Sequence, residues 1–515
     1  MSSPFIFLDS PASGVPYHSC RGLGFIWGCC KIVVDCSAIQ RWATCVIDIR
    51  TWLADNGGLV CPMSLSFVGI HAMRFLTRFV LSFAVLFVPT SLWAQVPAAP
   101  AKAAYKLQLS ANRPEAIYKA GEEATFEVQL LDSDKPVVGV ELQYTLSIDG
   151  HKTLSTGKAS SAEKPFSVKG TLAEPGFLRL TVTCRPEGQA AITGMAAAGF
   201  DPLAIKPSLP APDDFDEYWT DQKRQLAAVP MNPKLTPVES QVSTVECFDL
   251  QADCLGGKPV SGYFARPKNA EAKSLPAVLF VHGAGVRTAS LGTAMSTAHR
   301  SRCLALDLNA HGIPNGQPPE FYKALSDGEL KQYPQQKSDS RDTIYFRGMY
   351  LRLIRAMDFL CSQPEWDGKV LVVRGASQGG GQAIAAAGLD ARVTAFYAGV
   401  PALCDHSGNV VDRIAGWPRI VPRGADGKPD AKVLQAARYI DAMNFAARTK
   451  ADAIFSVGFI DGTCPPSSIY ATYNNLSGRK EMIIGVPYGH TEWPVSREQA
   501  DRFVDEHIAR VKGTK

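Results

Sequence analysis

VVRGASQGGGQAIAAAG, residues 372–388, places one hydroxyl, that of Ser377, between an apolar run and a cluster of glycines. Leu371, Val372 and Val373 have the apolar, largely β-branched texture of a buried strand, and the alanine-rich residues 382–389 favour helix. Ser377 therefore falls on a strand-to-helix turn. Gly375 and Gly379 flank it in the spacing G-x-S-x-G, which permits a turn too tight for residues with a Cβ and leaves the serine Oγ exposed above a sheet. A glycine-rich turn whose serine merely caps the next helix would be spelled the same way. Partners elsewhere in the chain decide between the two.

The elbow sits in a long run of alternating strands and helices. PAVLFVHG (276–283) and RCLALDLNAHG (302–312) read as buried strands, and Tyr350, Leu353, Ile354, Met357, Leu360 and Cys361 mark one face of a helix. TAFYAG, DAIFSVGFID and KEMIIGVPYGH supply further strands before an amphipathic helix over 496–511. This alternation predicts an α/β domain with a mostly parallel sheet covered by helices on both faces, over residues 212–515. Reactive groups in such sheets gather beyond the carboxyl ends of the strands.

Two residues downstream of Ser377 meet that rule. Asp461 follows one apolar strand in GFIDGTCPP, and His490 follows the next in GVPYGHTEW. Serine is a weak nucleophile at neutral pH, so an imidazole must take its proton, and a carboxylate must hold the imidazole tautomer. The chain order Ser377, Asp461, His490 is that of the α/β-hydrolase triad. Asp405, in PALCDHSG, also follows a strand and is the alternative acid. For the oxyanion, the backbone N–H of Ala284, after His282 and Gly283, and that of Gln378 are the expected donors. His282 is read as a structural histidine of its loop.

The rest of the chain sets the frame. At 515 residues, with 46% hydrophobic and 20% charged residues, it has the composition of a globular protein of two or three domains. The formal charge is +4, from 53 Lys and Arg against 49 Asp and Glu, and no basic run interleaved with aromatics suggests a nucleic-acid partner. From Met73 the order is Arg74, Arg78, an apolar run to Val88, then small residues around Ala94, the order of a secretory signal peptide. The apolar run, ended by Pro89, is too short for a membrane span, so no stable membrane anchor is expected. Residues 1–72 are read as upstream sequence ahead of the true start, 73–94 as the signal, and 95–104 as a linker. The expected location is periplasmic or extracellular.

Residues 105–200 alternate in short runs, ATFEVQLL, VELQYTLSID, FSVKGTL and GFLRLTVTC, separated by turn signals, and predict a small immunoglobulin-like β-sandwich. The sandwich shows no nucleophile, so residues 212–515 alone are expected to suffice for catalysis. Cys184, Cys247, Cys254, Cys303, Cys361, Cys404 and Cys464 are scattered and odd in number, which excludes a disulfide framework, leaves room for a Cys247–Cys254 bridge, and favours buried thiols at Cys303 and Cys361. No metal-type spacing is present, and neither a metal nor a cofactor is expected.

FRGMYLRLIRAMDFL, GASQGGGQA, GFIDGTCPPSSIYATYNNL, YGHTEW and the opener DDFDEYWTDQ together resemble the acetyl xylan esterase and cephalosporin-C deacetylase family over roughly residues 212–512. The resemblance implies a serine esterase that removes acetyl groups from acetylated sugars or other small esters, with Ser377, Asp461 and His490 as nucleophile, acid and base. The chain departs from the family at Ala284, where an aromatic is usual, and at NAHGIPNG (309–316), where an R-G-Q-G loop is usual. Two other readings stand beside it. One is an exopeptidase-like serine hydrolase, although a β-segment of ~80 residues is too short for a propeller. The other is a noncatalytic carbohydrate-binding protein on a hydrolase fold. The oligomeric state is left open.

Overall fold

The computed structural model describes residues 105–513 and, before them, four strands paired antiparallel in sequence order: β1 (Gly24–Trp27), β2 (Cys30–Val33), β3 (Thr44–Thr51) and β4 (Ser64–Val68). Those strands apart, the expectations for residues 1–72, 73–94 and 95–104 fall outside the described residues. A separate compact unit spans Lys102–Lys515.

That unit opens with the β-sandwich. One sheet has the order β10 (Lys152–Ser160), β9 (Glu141–Ile148), β12 (Gly176–Cys184), β13 (Ile192–Phe200), β6 (Ile117–Tyr118). The other has β11 (Phe166–Gly170), β7 (Ala124–Asp132) and β5 (Tyr105–Ala111), with the short β8 (Lys135–Pro136) paired to β7. Side chains alternate across a strand, so Phe126, Val128 and Leu130 of β7 meet Leu178, Leu180 and Val182 of β12 in the sandwich core. The start of β12 is buried on its other face as well. Phe177 points away from that core and packs on Phe459 and Tyr470 of the following domain, ring centroids 4.9 and 5.5 Å away. Aromatic pairs of this kind add about 0.5–1.5 kcal/mol to their area burial.

The second domain is built on a nine-stranded sheet. Three antiparallel strands, β14 (Lys234–Val238), β15 (Val245–Ala252) and β16 (Val260–Pro267), lead into six parallel ones. In spatial order the six are β18 (Leu304–Leu308), β17 (Leu275–Val281), β19 (Trp366–Ala376), β20 (Ala395–Gly399), β21 (Asp452–Gly458) and β22 (Lys480–Gly485). The fold is an α/β hydrolase. Neighbouring residues serve opposite faces: Leu371 and Val373 join the larger core with the helices Tyr345–Ser362 and Gln378–Leu389, while Val370 and Val372 join the smaller one with Leu291–Ser301 and Pro494–Gly513. Double-sided burial explains why these strands read as continuous apolar runs.

The seven cysteines from Cys184 to Cys464 are free thiols. A Cys247–Cys254 bridge is excluded by the strand: Cys247 to Ala252 of β15 span roughly 16 Å of extended backbone, and the two residues after it, at most about 7 Å long, cannot bring Cys254 back within the bridging limit of about 7 Å between Cα atoms. Cys303 is fully buried as expected, and Cys361 is half-buried.

Buried histidines make the fold sensitive to acid. His406 is wholly buried, neither ring nitrogen has a protein partner, and burial holds its pKa down to about 3. A histidine near 6.5 in the unfolded chain and near 3 in the fold binds more protons unfolded, so stability is lost as pH falls through that window. By pH 5 the loss from this group is about 2 kcal/mol. His406→Leu is therefore expected to lose about 2 kcal/mol less than the parent between pH 7.5 and pH 5, measured by denaturant unfolding at both pH values. Equal losses in the two proteins would contradict it.

Candidate active site

The elbow is as tight as its glycines imply. A Cβ added at Gly375 would come within 2.4 Å of the Gly379 backbone, and one added at Gly379 within 2.1 Å of the Val281 carbonyl oxygen. Ser377 itself has φ 58° and ψ −123°, a left-handed conformation that non-glycine residues hold only where the surroundings enforce it. Its N–H donates to the Gly399 carbonyl and its own carbonyl accepts from Ala402, at 2.8 and 2.9 Å. The turn is thus clamped between β19 and the loop after β20.

The strand ends then do the assembling. β21 and β22 run parallel to β19 and finish on the same edge, so the loops after Gly458 and Gly485 carry Asp461 and His490 to Ser377. His490 Nδ1 is 2.8 Å from Asp461 Oδ2, and its Nε2 is 2.8 Å from Ser377 Oγ. A carboxylate only accepts, so Nδ1 carries the proton and Nε2 accepts from the serine hydroxyl. Asp461 is completely buried, and its other oxygen, Oδ1, accepts from the N–H groups of Thr463 and Cys464 at 2.8 and 2.9 Å. An imidazole bonded in this way on both nitrogens can take the proton of the hydroxyl as it attacks. Cys464 Sγ lies within 4.8 Å of the same ligand atoms, but burial pushes its thiol well above the ordinary range and both imidazole nitrogens are already engaged.

Asp405 has other work. Its buried carboxylate pairs with Arg413 at 2.8 Å and accepts from the Ser208 hydroxyl and N–H at 2.7 and 3.2 Å. Burial raises its pKa and Arg413 opposes the shift. Asp405→Asn is expected to cost of order 3 kcal/mol in stability, by leaving Arg413 without its counter-charge. Turnover per folded molecule should stay near the parent's. A kcat loss at unchanged stability would reverse this assignment.

The loop after β17 lies against the elbow, with a Cβ at Gly283 falling 3.5 Å from Ser377 Cβ. Its carbonyls are held by side chains: Arg287 donates to the oxygens of Ala284 and Gly283, both at 3.1 Å, and His282 Nδ1 donates to Gly283 at 3.0 Å. In a trans peptide the N–H points opposite to the carbonyl, so fixing the Gly283 oxygen fixes the direction of the Ala284 N–H. His282 thus has the structural contact expected of it, and burial lowers its pKa to about 4, keeping it neutral. Gln378 opens the elbow helix, whose first N–H groups have no intrahelical acceptor.

Several residues around the site escaped the sequence reading. The Tyr333 hydroxyl donates to Gln378 Oε1 at 2.5 Å. His311, from the NAHGIPNG loop, stands edge-on to Tyr333, donates through Nε2 to the Gly285 carbonyl at 3.2 Å, and accepts from Tyr345 at 2.7 Å. Burial takes its pKa to about 3, so it stays neutral. No local pattern marks these residues as site neighbours, although the H-G after Ala310 shows where the loop turns. The loop that departs from the family pattern thus holds the Gly285 carbonyl through His311.

Residues 203–507 match the family model for acetyl xylan esterase (AXE1). Acetyl esterase Axe7A of Xylanibacter ruminicola is 30% identical over 389 residues, covering 75% of this chain and 87% of that protein. That span is longer than everything after residue 203, so the likeness reaches into the β-sandwich. The acetyl xylan esterase from Paenibacillus sp. R4 is 28% identical, with a TM-score of 0.51, over 59% of this chain and 98% of that one. Fold, family match and relative agree, and the chain belongs to the acetyl xylan esterase family, carbohydrate-active carboxylesterases of the serine type.

Proposed function

We propose that the protein is an exported esterase that deacetylates acetylated carbohydrates of the xylo-oligosaccharide type through a Ser377, His490, Asp461 acyl-enzyme mechanism. The observation that carries the reading is His490, hydrogen-bonded at 2.8 Å to both Ser377 and Asp461 on one edge of the sheet. Ser377 Oγ attacks the acetyl carbonyl carbon as its proton passes to His490 Nε2, and the oxyanion is received by the N–H groups of Ala284 and Gln378. The tetrahedral intermediate collapses by breaking the bond to the sugar oxygen, which takes the proton from His490. Water, deprotonated by the same nitrogen, then attacks the acetyl-serine, and acetate leaves while Ser377 recovers its proton. Asp461 stays ionised and stabilises the transient imidazolium.

The likeness to acetyl esterase Axe7A and to the Paenibacillus acetyl xylan esterase supports an acetyl ester of a sugar as substrate class. The order of residues after Met73 supports export, and no helix among the described residues is long and apolar enough to cross a membrane. The test is one preparation assayed on acetylated xylan, acetylated monosaccharides, longer acyl esters and aminoacyl-arylamides. Acetylated sugars should be turned over fastest. A preference for arylamides would favour the exopeptidase reading, and binding without turnover the noncatalytic one. Amino-terminal sequencing of secreted protein should begin near Gln95, and residues 1–72 found attached would refute the assigned start.

A further inference from the structure

The β-sandwich reaches the active site. Arg179, on β12 beside Phe177, sends its guanidinium Nη2 to the backbone carbonyl of Asp461 at 2.7 Å, and both residues are buried. Asp149, 2% exposed and one residue past the end of the adjacent strand β9, interacts electrostatically with Arg179: burial lowers the Arg179 pKa and Asp149 opposes that shift, while burial raises the Asp149 pKa and Arg179 opposes it. Across the sheet, β13 places the small Ala197 next to Arg179, leaving room for the side chain.

We infer that Arg179 is a positioning residue for the catalytic acid, and that the sandwich is part of the catalytic apparatus rather than an appended module. The inference rests on Asp461 being the triad acid. Asp461 is gripped from two sides. The N–H groups of Thr463 and Cys464 hold Oδ1 at the front, and Arg179 holds the main-chain oxygen at the back. Together they fix where Oδ2 meets His490. If the junction needed only filling, an apolar side chain would do so without the several kcal/mol that burying a guanidinium costs. The expectation that residues 212–515 suffice for activity assumed that the sandwich contributes nothing to the site, and Arg179 removes that premise.

The experiment uses the full mature chain and an aryl acetate, with kcat expressed per site titrated by a serine-directed phosphonate. Displacing a catalytic group by about 1 Å costs on the order of 10²-fold. Arg179→Met is therefore expected to lose about 10- to 100-fold in kcat per titrated site, with KM within about twofold of the parent. Arg179→Lys, which keeps a charge and a donor but not the planar fork, should fall between the two. Phe177→Leu, which loosens the junction without touching Asp461, should lose stability and keep the parental per-site kcat. Parental kcat in Arg179→Met, or an equal loss in Phe177→Leu, overturns the inference. Where the Met variant does not fold, the Lys variant decides: a several-fold loss supports the role and parental kcat refutes it. Ser377→Ala, run alongside, separates this result from the triad itself, since activity retained there refutes the nucleophile assignment instead.

Discussion

Ser377→Ala is expected to lower kcat on an aryl acetate by about 10⁴- to 10⁶-fold, leaving only what binding and the oxyanion donors provide without a nucleophile. The substitution tests chemistry and not folding. Ser377 sits at φ 58°, and alanine presents the same Cβ to that strained backbone while the clamping bonds to Gly399 and Ala402 are main-chain. A serine-directed phosphonate should label the parent at Ser377 and leave the alanine variant unlabelled. His490→Ala should be almost as damaging, because the hydroxyl at 2.8 Å from Nε2 then has no base. The double variant should be little worse than either single one, since the two groups act in one step. Full deacetylation by Ser377→Ala would reduce the elbow to a glycine turn.

What the sequence made legible follows from where local pattern and tertiary role coincide. The strands β17, β18, β20 and β21 and the middle of β19 are buried on nearly every residue, and apolar runs announce them, whereas β22 is partly exposed and shows only the short apolar stretch Met482–Ile484. Ser377, Asp461 and His490 each follow an apolar stretch, so the strand-end rule brings them together without knowledge of the packing. The choice between Asp461 and Asp405 was open for the same reason: both follow a strand. What distinguishes them in the structure is a contact that sequence does not encode locally: the His490 ring meets Asp461 Oδ2, while Arg413 pairs with Asp405. The antiparallel strands β14 to β16 were not singled out, because β14 mixes exposed with half-buried residues and carries Pro237, giving no clean period. The two-residue strands β6 and β8 are too short to have a period at all. Arg179 lies 282 residues from the oxygen it holds, and Tyr333 lies 45 from Gln378. Such partners emerge only when one face of an element is laid against another domain or loop. The alternation of β12 shows that its two faces differ, and it says nothing of what covers the second.

Asp461→Asn is expected to fold and yet lose about 10⁴ in turnover, through the tautomer of His490. The surroundings of the carboxylate determine which way the amide must sit. Oδ1 accepts from two backbone N–H groups, those of Thr463 and Cys464, and only an oxygen can take both bonds. An asparagine therefore keeps its oxygen there and turns its NH₂ toward His490 Nδ1. A donor facing Nδ1 makes that nitrogen the acceptor, so the ring proton moves to Nε2, which then donates to Ser377 Oγ instead of accepting from it. The base is present and pointed at the nucleophile with a proton already on it. The reverse orientation would set an NH₂ against two N–H groups in a site with no exposure to solvent, at the cost of leaving all of them unpaired. Retention of the two backbone bonds keeps the loop, and hence the fold, intact. The result should be parental thermal stability to within a few degrees, slow phosphonate labelling of Ser377, and kcat down by about four orders of magnitude. Turnover within tenfold of the parent would show that Asp461 does not set the tautomer.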